Sequence, residues 1–292
     1  MPTYKDFEDN IIALFQSSTS VVWKGVTYDY IQACKPSSQR GGECKTDVFV
    51  SLKSSTNANQ KENIKISVKQ PNADFYGNKL TADAALTLLG PDWKSVLIDS
   101  IKPLIQTFKS KTIAYTKPKK KPKDAYFTLG WKLEITDKIR SLSAPLLLNN
   151  QQIIDNVYRG INQPIGKKNA YVFGISEKDS GIADYLYKGS IKDTAQEILN
   201  NLIELSTYKS KPLYLTFTAN NYRLVANKAD GPRSLAIAIK WSHRDGKLDP
   251  TYIFDEPLSY KGEIHMQPHI KSALEALNSN DFATLDIDTI KP

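Results

Sequence analysis

The segment Gly41–Asn72, GGECKTDVFVSLKSSTNANQKENIKISVKQPN, constrains this chain more tightly than any other. Thr46–Leu52 and Ile64–Lys69 alternate apolar and polar residues with the period of two that a strand imposes, and the polar stretch Lys53–Asn63 between them reads as a long turn. Folded as an antiparallel hairpin about a midpoint near Ala58, the segment sets Val48 against Val68, Val50 against Ile66 and Leu52 against Ile64. A slip of one residue would carry Lys65, Ser67 and Lys69 onto the apolar face, so the hydrophobic pattern selects this register. The same register stands Asp47 opposite Lys69, with Ser67 on the same side. A carboxylate and an ammonium then meet at the end of a two-stranded ribbon whose reverse face is buried.

That pairing is what metal-assisted phosphodiester hydrolysis needs. A carboxylate at Asp47 would hold Mg²⁺, with Mn²⁺ as a substitute, and the backbone carbonyl of Val68 would be a further ligand. The metal would polarise the phosphate and lower the pKa of a water, while Lys69 orients that water or offsets developing charge.

These residues resemble the PD-(D/E)xK nuclease superfamily, which includes type II restriction endonucleases. Asp47 stands at the motif's aspartate and Ser67-Val68-Lys69 at its (D/E)-x-K, with CKTDVFV and IKISVKQ resembling a variant in which a KxD strand pairs with an SxK strand. About 30 residues carry the resemblance, with Tyr4–Gln16 as the counterpart of the superfamily's first helix. Two departures stand out: Thr46 replaces the motif's proline, and Ser67, a poor Mg²⁺ ligand, occupies the second acidic position. The resemblance therefore implies another carboxylate. Glu8 on the first helix is preferred, Glu43 just before the strand comes second, and Asp74 is a third candidate.

Along the rest of the chain, Phe7, Ile11, Ile12 and Phe15 form a helical stripe within Tyr4–Gln16. Val21–Ile31 is apolar but irregular, and Lys35–Gly42 is a loop. Helices are expected at Thr81–Leu89, Asp92–Lys109, Ser190–Leu205 and His269–Asn278. Strands are expected at Ala170–Ser176, Leu213–Thr218, Tyr222–Ala226, Ser234–Trp241 and Tyr252–Phe254. The run Lys117–Lys123 (KPKKKPK) carries two prolines that forbid a regular helix, so it reads as a basic loop or linker. The expected division is a core over residues 1–116, the linker 117–123, and a remainder over 124–292 that completes the core and adds a β-rich DNA-recognition region. The fold class is α/β: a restriction-endonuclease-like mixed β-sheet flanked by helices, with a β-rich extension.

Charge supports a polyanionic partner. The chain carries 39 Lys and Arg against 31 Asp and Glu, a net charge of +8, and each cation that meets a phosphate releases condensed counterions. Gln70, Asn72, Tyr76, Asn78 and Lys79 follow Lys69 closely enough to touch DNA beside the cut. Arg223, Lys228, Arg233, Lys240, Trp241, His243, Arg244 and Lys247 form a second basic concentration, in which Arg could read guanine in a major groove. Other chemistries lack their residues. There is no GxSxG, no phosphate-binding or dinucleotide glycine loop, and the three histidines all follow residue 240, with Pro268 between His265 and His269 and no HExxH. Cys34 and Cys44 lack a ligand-like spacing and read as free thiols. Met1–Asn10 lacks the form of a secretory leader and no apolar run reaches roughly 20 residues, so an intracellular, cytoplasmic protein without a membrane span is expected.

The expected function is Mg-dependent cleavage of double-stranded DNA, most simply by a type II restriction enzyme acting as a homodimer with two sites. A DNA-binding protein on a nuclease-like scaffold without catalysis, and a structure-selective repair nuclease, are the alternatives.

Overall fold

The computed structural model describes residues 4–39, 41–57, 59–71, 73–116, 124–190 and 193–277. Ala58, Asn72, the Lys117–Lys123 run and Asn278 lie outside them. The fold is α/β and divides into two compact units, each built from two stretches of chain: residues 1–74 with 148–211, and 75–147 with 212–292. The boundaries therefore differ from the sequence-based division at the basic run. Residues 148–211 return to complete the unit that holds the hairpin.

In the first unit a five-stranded mixed sheet runs in the order Ile203–Glu204, Tyr185–Lys188, Lys61–Lys69, Val48–Lys53, Tyr30–Cys34. Its pairings are antiparallel except that Tyr185–Lys188 runs parallel to Lys61–Lys69. The helix Tyr4–Ser17 forms as its apolar stripe predicts and buries Phe7, Ile11 and Phe15 against Val48, Val50, Leu52, Ile64, Ile66 and Val68. A second helix, Ala195–Asn200, adds Ala195, Ile198 and Leu199 to the same core. Its start is fixed by a capping box, in which the Thr194 hydroxyl accepts from the Glu197 N–H and the Glu197 carboxylate accepts from the Thr194 N–H. The helix is far shorter than the expected Ser190–Leu205, because the chain passes at Ile203 into a strand. Ile66 is fully buried in the central strand. Truncating Ile66→Ala is expected to cost about 2–5 kcal/mol, read from denaturant midpoints, since the sheet and helix around it cannot close the void.

The observed hairpin register pairs Val48 with Ile66, Val50 with Ile64 and Leu52 with Glu62. This differs from the expected register by two residues. A two-residue slip leaves every side chain on its own face, so alternation cannot detect it; the turn decides instead. Here the Ser54 N–H donates to Gln60 O and the Gln60 N–H to Asn57 O, closing the loop earlier than a midpoint at Ala58 would.

The second unit is built on an antiparallel sheet around the long strand Ala125–Thr136, which the sequence patterning did not single out. Tyr214–Arg223 forms one continuous strand where two were expected. Expected strand Ser234–Trp241 breaks into Ser234–Leu235 and Ile237–Arg244. The helices Ala82–Leu89 and Trp93–Ile101 match the expected helical region, with Thr81 capping the first, and Gln267–Ala276 matches the last. No described helix is long and apolar enough to cross a membrane.

Candidate active site

Asp47 closes the turn into the Val48–Lys53 strand, its backbone N–H donating to Ile66 O at 2.9 Å. The observed register ends with Val48 opposite Ile66, which brings Asp47 beside Ile66 and Ser67 rather than opposite Lys69. The three residues meet nonetheless. Asp47 Oδ2 accepts from the Val68 N–H at 2.7 Å and from the Ser67 hydroxyl at 3.2 Å, and Lys69 Nζ lies 3.9 Å from the same oxygen. Diagonal neighbours on one face of a sheet stay within reach of a long side chain, so the lysine spans the offset that the slip introduces. The Asp47 and Lys69 side chains keep 16% and 26% of their surface exposed, enough for a ligand to reach both. Because the N–H and C=O of a strand residue point to the same side, the Val68 carbonyl is directed to the Asp47 side along with its N–H.

Asp47 forms part of the lining of a cleft of about 440 Å³, together with Lys35–Ser38, Gly41–Cys44 and Thr46. Thr46 is 2% exposed and its hydroxyl has no hydrogen-bond partner among the described residues. Glu43 also lines the cleft. Glu8, on the first helix, is half-buried and ion-paired with Lys35. Burial pushes its carboxyl above the ordinary range, the Lys35 hydrogen bond opposes this, and the nearby charges of Asp47 and Glu43 add to the rise. Asp74 does not line the cleft.

Two lysines join the site without having been candidates. Burial pushes the Lys45 ammonium down from 10.5 to about 8, and the positive charges of Lys69 and Lys167 push the same way, against Asp47 and Glu43. Lys167 reaches the cleft wall: a Cβ on Gly42 would lie 3.0 Å from its Nζ. Lys45 was legible as the lysine of the KxD motif; nothing in the pattern around Lys167 signals a site. A group deprotonated in the folded state and protonated in the unfolded one makes stability rise with pH between its two pKa values. Stability is therefore expected to climb from pH 8 to 10.5 relative to Lys45→Met, in which this contribution is absent; parallel denaturant titrations read the difference.

The expected DNA-contacting residues divide between the two units. Gln70 follows the hairpin in the first unit, its carbonyl accepting from the Ala73 N–H. Asn72 lies outside the described residues. Tyr76, Asn78, Lys79, Arg223, Arg233, Lys240 and Arg244 all belong to the second unit. Within it, Tyr76 donates to Asp137, Arg223 pairs with Asp230 at 3.6 Å and Arg244 with Asp249 at 3.1 Å, while Asn78, Lys79, Arg233 and Lys240 are exposed. Trp241 is not part of any basic surface: it is 1% exposed and its indole N–H donates to Thr128 O.

No group of three or more His, Cys, Asp or Glu side chains is arranged to hold a metal among the described residues. Mg²⁺ does not require one, since it keeps several waters and takes one or two carboxylates plus substrate oxygens. Asp47 fits that role: Oδ2 receives the protein donors, and Oδ1 accepts no hydrogen bond from any described residue. No protein-family model, curated protein or solved structure matches the chain.

Proposed function

We propose that this protein is a Mg-dependent endonuclease of restriction-endonuclease-like type that cleaves double-stranded DNA. The observation that carries the reading is the convergence of Ser67 and Lys69 on the Asp47 carboxylate, which itself helps to line a cleft, on the sheet face opposite the core. The arrangement of one helix over an antiparallel hairpin, with a parallel strand beside it, agrees with the resemblance that the motif carries. A net charge of +8 suits a DNA ligand.

In this reading Asp47, with the Val68 carbonyl, holds Mg²⁺, and Glu8 or Glu43 is the second acid. Bound there, Mg²⁺ supplies Lewis-acid polarisation of the scissile phosphate and a water of lowered pKa. The chain's own residues do the rest. The Val68 N–H and Ser67 hydroxyl fix the Asp47 carboxylate in place, so that no reorganisation is needed when substrate arrives. Lys69 stands over the same oxygen with its charge directed at an incoming phosphate, and Lys45 and Lys167 raise the positive potential of the wall behind it. Cutting both strands calls for two such sites, hence a homodimer on DNA.

Supercoiled plasmid incubated with the protein is expected to be nicked and linearised with Mg²⁺ or Mn²⁺ and left intact with EDTA. Discrete ends at one short motif identify a restriction enzyme; ends without sequence preference identify a structure-selective nuclease. One observation favours the second reading, a DNA-binding scaffold without catalysis: the position of the motif's second acid is filled by Ser67, 5% exposed and already bonded to Asp47. Plasmid bound but uncut at every Mg²⁺ and Mn²⁺ concentration decides for it.

A further inference from the structure

Residues 171–176 were expected as part of one strand and instead form a tight hairpin, Tyr171–Val172 paired with Ile175–Ser176 across a two-residue turn. Three large apolar side chains stand out on it: Tyr171 is 42% exposed, Phe173 44% and Ile175 70%. The turn itself is unusual. Phe173 has φ +50° and Gly174 φ +80°, the left-handed pair that hairpins normally give to Asn-Gly or Gly-Gly. A bulky aromatic in the left-handed region is strained. Folding would favour Asn at the tip and polar residues on either side, so both the conformation and the composition point to a use.

The hairpin's position supplies that use. The Phe173 ring meets the Phe49 ring edge-on at 6.1 Å between centroids. Phe49 lies two residues beyond Asp47, in the strand that Asp47 leads into. Tyr171 exchanges backbone hydrogen bonds with Ser37 at 2.8 and 3.0 Å, and Gln39 donates to Ser176, which stitches the hairpin to the loop that walls the cleft. Lys167 and Lys168 precede the hairpin and Lys178 follows it, with Glu177 between them on the acidic side of the count.

We infer that the Tyr171–Ser176 hairpin is a stacking wedge, which sets the Tyr171 and Phe173 rings against an unstacked base of DNA beside the phosphate held at Asp47 and Lys69. The inference rests on the nuclease reading above. Aromatic faces accept any base, and apolar wedges that enter a base step are a recurrent way of opening duplex DNA. The lysines on either side offer the phosphates flanking that base their counter-charge. A second copy of the chain suits the hairpin less well, because a stable interface needs roughly 800 Å² from each partner and three side chains on a six-residue hairpin fall short of it.

The test uses full-length Asp47→Asn protein, which leaves DNA uncut, bound to plasmid DNA substituted with 5-iododeoxyuridine and irradiated. Crosslinks mapping to Tyr171 or Phe173, with binding weakened about tenfold or more in Tyr171→Ser and Phe173→Asn variants, support the wedge. Asn at position 173 suits the left-handed turn, so that variant separates lost stacking from lost folding. If wild-type protein cuts plasmid while the crosslinks fall elsewhere and both variants bind normally, the wedge is overturned and the nuclease reading stands. If wild-type protein neither binds nor cuts DNA, both are overturned. A dimer that dissociates when Tyr171 or Ile175 becomes Ser overturns the wedge in favour of contact between copies.

Discussion

Asp47→Asn is expected to lower single-turnover cleavage by about 10³-fold while leaving folding and DNA binding near wild type. The substitution is close to isosteric. Its amide oxygen can still accept from the Val68 N–H and the Ser67 hydroxyl, so the local structure that positions residue 47 is retained. What disappears is the negative charge that would hold the metal and balance Lys69. Lys69→Met removes the other half, and about a 10²-fold loss is expected with the carboxylate in place. Groups that act as one unit are not additive, so the double variant should be scarcely slower than Asp47→Asn alone. Rapid-quench assays at saturating protein separate this from weakened binding. Equal losses in binding and cleavage would instead mark Asp47 as a residue of the DNA-binding surface.

Gly181→Ala is expected to cost about 3 kcal/mol or more and to abolish cleavage in whatever fraction folds. An added Cβ at this position would lie 1.9 Å from the Lys167 carbonyl oxygen, 3.0 Å from its carbonyl carbon and 3.2 Å from the Lys168 carbonyl oxygen. Backbone cannot swing aside as a flexible side chain can. The Gly181 N–H already donates to Lys168 O at 2.8 Å, and the Gly181 carbonyl accepts from the N–H groups of Lys45 and Thr46 at 3.0 and 3.2 Å. This one glycine therefore ties the loop before Asp47 to the segment carrying Lys167. Forcing it outward displaces the entry to the Val48–Lys53 strand, so unfolding midpoint and activity should fall together. An unchanged midpoint would show that residues 167 and 168 yield without cost.

The face of the hairpin that carries Asp47, Ser67 and Lys69 was legible because burial of one face leaves only one parity for each strand. Its register was not, because two residues of slip conserve parity and the deciding hydrogen bonds lie in a polar turn. The site survived that error through the length of the Lys69 side chain. The parallel strand Tyr185–Lys188 was hidden for a different reason. It is four residues long, and its partner lies more than a hundred positions away in sequence, beyond the range of any local pattern. Lys35 reaches the cleft from a loop and Lys167 from the four-residue helix Ile165–Lys168, both placed by tertiary contacts, and neither has a periodic context. In the Tyr171–Ser176 hairpin the usual turn chemistry is missing, so a Phe-Gly tip read as continuous strand. The division of Gln70 from Tyr76, Asn78 and Lys79 between the units has a related origin: proximity in sequence to Lys69 says nothing about which unit a residue joins.

Mn²⁺ titrated into the protein with a non-cleavable phosphorothioate DNA and followed by electron paramagnetic resonance bears most directly on the claim that an acid and an amine here share a metal and a phosphate. The expected result is one Mn²⁺ taken up per chain, strengthened by DNA and lost in Asp47→Asn. Uptake that is equal in wild type and Asp47→Asn, or indifferent to DNA, would contradict it.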